Sequence, residues 1–149
     1  MPTKSEGPGS DDPATSSAAG HGGQRTLIVW QVLSALLLLA MGGIHLSLVF
    51  QWARGLLGVL FVLNAIGGLV LAIAMLAARR RLLRLASLLS LVFMAGTLLA
   101  LVLALTVGPF GITERLSTPL VVPTLAVESV GTVVLAVTAA LMFRIRHET

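Results

Sequence analysis

The sequence has no cysteine. Disulfides, thiolate metal sites, haem attachment through C-x-x-C-H and cysteine redox chemistry are therefore excluded. Charge is also scarce. Only 11% of residues are charged, against about 25% in soluble domains. No G-x-G-x-x-G, P-loop, H-E-x-x-H or G-x-S-x-G motif is present, so the common phosphate-cradling, zinc-hydrolase and nucleophile-elbow chemistries lack their residues. No internal repeat of the kind that builds an inverted-repeat transporter is visible. The pI near 11.5 does not point to nucleic acid. The basic residues flank apolar runs and form no patch with interleaved aromatics.

What remains is apolar: 56% hydrophobic residues and a mean hydropathy of +0.99. The stretch Leu27–Phe50 carries no formal charge. A run of that length reads as a membrane-spanning helix. Three more runs follow, and the spans are expected at about 27–50, 55–78, 82–108 and 119–143. Each covers ~30 Å of hydrocarbon at 1.5 Å per residue with some tilt. The breaks are short, which forces neighbouring helices to be antiparallel. The expected fold is all-α: a four-transmembrane-helix up-down-up-down bundle over 25–146, ending in a short tail at 147–149. Residues 1–24 are Gly, Pro, Ser and Ala with scattered charge, a composition that predicts disorder. The first apolar run starts too late and runs too long for a signal-peptide core, so it is expected to be retained as a span.

Basic residues set the orientation. Arg25, Arg79, Arg80, Arg81, Arg84, Arg144 and Arg146 flank one side, and only Arg54 and Arg115 flank the other. That asymmetry predicts a multi-pass plasma-membrane protein with both termini in the cytoplasm. The cluster Arg79, Arg80, Arg81 and Arg84 serves topology and contact with anionic lipid on this reading. Trp30 and Trp52 lie near opposite ends of the first span, as interfacial anchors do. Small residues such as Gly42, Gly43, Gly67, Gly68 and Gly131 supply the close packing that joins helices in lipid.

Three strongly polar side chains interrupt the spans: His45, Asn64 and Glu128. Their positions place them roughly 9 to 14 Å from the outer ends of their helices. They can share one layer, bracketed by Thr97 and Thr106. A carboxylate in hydrocarbon is costly unless neutral or partnered, and His45 is a partner able to share its proton. Asn64 can donate and accept, closing such a network. The plain reading is polar glue that fixes helix register. The competing reading is a small-molecule, ion or proton-handling site. Glu114 and Arg115, in the longest interior loop, either cap this layer or pair with each other in water. Pro119 and Pro123 leave open whether the fourth span is kinked. His45 with Glu128 makes two ligands, below the three or four of a zinc site. One intramembrane histidine cannot ligate haem from both faces, and His21 and His147 fall on the other side. No metal or cofactor is expected.

The segments GGIHLSLVF, GLLGVLFVLNAIGGLVLA and VGPFGITERL, with a glutamate in the fourth span, resemble a group of small four-helix integral membrane proteins common in high-GC Gram-positive bacteria. The resemblance spans about 27–143. It falls on His45, Leu46, Gly58, Phe61, Asn64, Phe110, Gly111, Glu114 and Glu128. The group carries an aromatic soon after the histidine, where Leu48-Val49-Phe50 stand here and Trp52 follows. The architecture is also similar, more loosely, to DoxX-like membrane proteins. The resemblance implies the fold and brings no activity with it. Taken together, the residues predict a non-enzymatic accessory or partner-binding membrane protein in the lipid bilayer, joined to another membrane protein or to itself. The alternative is the outer-half site on His45, Asn64 and Glu128. A quinone-using redox enzyme is a third and less supported class.

Overall fold

A computed structural model describes residues 14–51, 55–107 and 120–144, with side chains over 24–51, 55–79, 82–107 and 120–144. The described residues form four helices: α1 (Ala14–Gln51), α2 (Leu56–Ala77), α3 (Arg80–Thr106) and α4 (Val121–Arg144). All four are long and apolar enough to cross a membrane. Helix is the conformation that pairs every backbone N–H and C=O within its own segment, which lipid demands. The helix α1 starts at Ala14, earlier than the composition of 1–24 predicts. Extending a helix that is already nucleated fixes one residue per hydrogen bond, so even a poor helix-forming stretch follows a stable span. Residues 1–13 lie outside the described residues.

The α2–α3 turn is two extended residues, Ala78 and Arg79. Ala78 N–H donates to Ala74 O at 3.0 Å and Leu83 N–H to Arg79 O at 2.9 Å, so both helix ends are closed by backbone alone. Gly55 starts α2 at φ 69°, ψ −140°, a region open to glycine and strained for other residues. Pro123 falls in the first turn of α4, where a missing N–H leaves no intrahelical bond unmade. The helix runs on through it, with Thr124 N–H donating to Leu120 O at 2.9 Å.

The helices form an antiparallel up-down-up-down ring. The helix α1 packs on α2 and α4, and α3 packs on α4 and less closely on α2, while the diagonal pairs scarcely touch. Interior positions recur at alternating three- and four-residue steps. On α4 they are Val121, Thr124, Glu128, Gly131, Leu135, Thr138 and Met142. On α3 the seam runs Leu83, Ser87, Ser90, Met94. This is the spacing of left-handed knobs-into-holes packing. Leu38, Met41, Met75, Met94 and Leu135 are wholly enclosed in the core.

Backbones meet most closely between α1 and α2. A Cβ on Gly68 would lie 2.8 Å from Leu38 O and 3.4 Å from Gly42 Cα, and one on Gly42 would lie 3.2 Å from Ala65 O. The outer faces are the reverse of a soluble protein's. Leu, Val and Ile cover every helix, with Phe50 82% exposed. Such a continuous apolar mantle fits lipid.

Candidate functional site

One end of the bundle carries Arg25, Arg79, Arg84 and Arg144, and is called here the arginine end. Glu128 lies two turns into α4 from the opposite end, on the interior seam. It is 1% exposed, and its Oε2 has no hydrogen-bond partner among the described residues. Thr97 of α3 lies beside the carboxyl. A hydroxyl has one hydrogen, and Thr97 gives its own to Met94 O at 2.9 Å. A neutral carboxyl is the form that hydrocarbon tolerates. One turn away on either side, Thr124 donates to Leu120 O at 2.6 Å and Thr132 to Glu128 O at 2.7 Å. These bonds stay within α4 and leave the carboxyl alone.

His45 is 5% exposed and sits six residues before the end of α1, at a depth like that of Glu128. Its Nδ1 lies 2.9 Å from Met41 O. A carbonyl only accepts, so Nδ1 carries the hydrogen. The ring meets Phe61 of α2 edge-on, with centroids 5.5 Å apart and planes at 70°. Asn64, also on α2, is half-buried and makes no hydrogen bond to another described residue. The structure thus turns His45 toward α2 and Glu128 toward α3. No hydrogen bond or ion pair joins His45, Asn64 and Glu128 among the described residues. Glu114 and Arg115 lie outside the described residues, as do Trp52, Arg54, Phe110 and Gly111. Of the basic cluster, Arg79 is exposed and Arg84 half-buried, while the side chains of Arg80 and Arg81 lie outside the description.

A second set of interior polar groups, nearer the arginine end, is absent from the sequence-level candidates. Ser34 of α1 and Thr138 of α4 are fully buried, with their hydroxyls 3.0 Å apart. Each also reaches the carbonyl one turn back, Trp30 O at 2.8 Å and Val134 O at 2.8 Å. Gln31 Nε2 donates to Met75 O, and Ser87 Oγ lies 3.7 Å from Met75 Sδ. Ser90 is fully buried and its Oγ has no partner among the described residues. Ser and Thr are ordinary in membrane helices, so composition alone passes over them. The signal that finds them is their place on the three-four seam.

No three His, Asp or Glu side chains converge among the described residues. A shallow outward groove lined by Ser129, Val130, Val133 and Val134 is apolar. Comparison with known protein families, curated proteins and solved structures yields no match. The chemistry of the site is therefore read from its own residues: a buried acid that can hold or release a proton.

Proposed function

We propose that this multi-pass protein resides in the plasma membrane with both termini in the cytoplasm, and handles a proton at Glu128. Membership of the group of small four-helix membrane proteins named above belongs to the same proposal. The orientation follows from the excess of arginine at one end. The observation that carries the function is the Glu128 carboxyl, enclosed in the bundle with one oxygen unpartnered among the described residues. An orphaned polar atom costs stability, and interiors keep one where it has a role. Intramembrane carboxyls mark ion and proton paths.

Infrared spectroscopy of the protein in lipid vesicles tests this. The wild type is expected to show the C=O stretch of a neutral carboxylic acid, shifted in D2O and missing in Glu128→Gln, with both proteins equally folded. Absence of the band from the wild type, or its survival in the variant, refutes the assignment.

One observation favours the accessory role as a second reading. Gly43 and Gly96 face outward, and nothing lies within 4 Å of a Cβ placed on either. The bundle does not need these glycines for its own packing. Close approach to a partner helix or a second copy would use them. Its mark is a membrane protein or second copy that stays bound through mild-detergent purification and is lost on Gly43→Leu or Gly96→Leu.

A further inference from the structure

Resting on the proton-handling reading of Glu128, we infer that its carboxylate and the hydroxyl oxygens of Thr97 and Thr124 bind a small monovalent cation of the sodium class, in exchange for the carboxyl proton. The placement of oxygen atoms carries this. Glu128 is 1% exposed, with Oε2 unpartnered among the described residues. Side chains on a helix lean toward its N-terminus, so Glu128 reaches over the turn that carries Thr124. Thr124 is buried on the same interior seam, and Thr97 of α3 lies beside the carboxyl. Each threonine gives its one hydrogen to a carbonyl of its own helix, Thr124 to Leu120 O and Thr97 to Met94 O. What each has left to offer is oxygen lone pairs. No side chain between Arg84 and Thr106 on α3, or between Val121 and Met142 on α4, carries an N–H. Carboxylate and hydroxyl oxygens without competing nitrogen or thiolate suit a hard cation.

Charge sets the valence. Among the residues with described side chains Glu128 is the sole acid, and the cations Arg25, Arg79, Arg84 and Arg144 all stand at the arginine end. Of the elements packed on α4, α3 has no titratable side chain between Arg84 and Thr106, and α1 offers only His45 between Arg25 and Gln51. His45 is engaged with Met41 O and Phe61. An ionised Glu128 therefore lacks a countercharge among these groups, and one monovalent ion supplies it. A divalent ion would leave a positive charge in hydrocarbon, which is costly. One proton leaves as one cation enters, so the net charge of the site is unchanged. Packing sets the size and the direction of entry. A Cβ on Gly131, one turn below Glu128, would sit 2.8 Å from Met94 Cε and 3.2 Å from its Sδ. The Met94 side chain thus fills the notch that Gly131 leaves, and Leu38 and Leu135 are wholly enclosed in the core. An enclosed carboxyl of this kind suits a single ion better than an organic cation. The ion comes and goes from the outer end, about 10 Å away along α4, and the site is a dead end with no passage to the arginine end.

An infrared titration tests this. The protein is held in lipid nanodiscs, whose two faces both meet the buffer, and sodium chloride replaces choline chloride at constant pH and ionic strength. In the wild type the neutral-acid band of Glu128 is expected to fall as sodium rises, while a carboxylate band grows. Thr97→Val and Thr124→Val each remove one ligand oxygen. Each is expected to keep the band in choline and to need about tenfold more sodium for half the effect, a loss of about 1.4 kcal/mol. Thr97→Ser and Thr124→Ser keep the oxygen and are expected to match the wild type. Gel filtration confirms that each variant is folded, and alanine replaces valine at a position where valine does not fold. A band indifferent to the exchange of choline for sodium overturns the cation site, as does either oxygen-free variant responding like the wild type. In both cases the Glu128 proton assignment stands. If the band is missing in choline, the assignment itself fails, and the cation site with it.

Discussion

Glu128 holds two oxygens in the bundle interior, and one of them is unpartnered among the described residues. Its side chain separates the two readings of the buried polar groups by the sign of a stability change. If Glu128 were glue, replacing it with methionine, of similar size, would lose an interhelical bond. With one oxygen orphaned, the same replacement removes an unsatisfied group and restores apolar packing. Glu128→Met is therefore expected to stabilise the protein by about 1–3 kcal/mol, read as a higher unfolding midpoint in detergent. A lowered midpoint would return Glu128 to a structural role. The gain in stability would coincide with loss of the proposed proton handling, the usual exchange at a functional site. His45 differs, because its donor is satisfied by Met41 O and its ring packs on Phe61.

At the level of the helices, glycine sorts into two kinds. Gly68 faces the Leu38 carbonyl and Gly42 across α1–α2, and backbone cannot move aside as a side chain can. Gly68→Ala is expected to cost about 1–3 kcal/mol by overpacking. Gly43→Ala meets nothing and is expected to gain about 0.5–1 kcal/mol from the better helix former. Unfolding midpoints of the two variants measure this, and equal effects would contradict the α1–α2 packing. The spans themselves were legible in the sequence, because an apolar run of fixed length has few other interpretations. Depth along the axis was legible too, since it needs only the rise per residue. Rotation about the axis was not. Each residue turns the helix by about 100°, so His45 and Glu128 at one level can still face different neighbours. Their facing is decided by where Gly68, Gly42 and Gly131 let the backbones and Met94 settle. The buried Ser34–Thr138 pair escaped for the same reason, being polar on one narrow seam of an apolar run.

For the whole molecule, the proposed orientation in the bilayer rests on the uneven distribution of arginine. A reporter fused to the carboxyl end is expected to read as cytoplasmic in the wild type. With Arg79, Arg80, Arg81 and Arg84 all changed to glutamine, the same fusion is expected to divide between the two sides. A wild-type fusion active outside would reverse the whole arrangement. The ring also has unequal joints. The α1–α2 contact is the most extensive and α3–α4 the next, while α2 and α3 are held together less by packing than by the two-residue turn at Ala78–Arg79. Helices that insert in the order of synthesis and then associate would settle here as two hairpins. On that order the glycine-zipped α1–α2 pair would be complete before α4, with its acidic residue, enters the bilayer. Glu128 would then arrive in a membrane where a docking surface for its helix already exists.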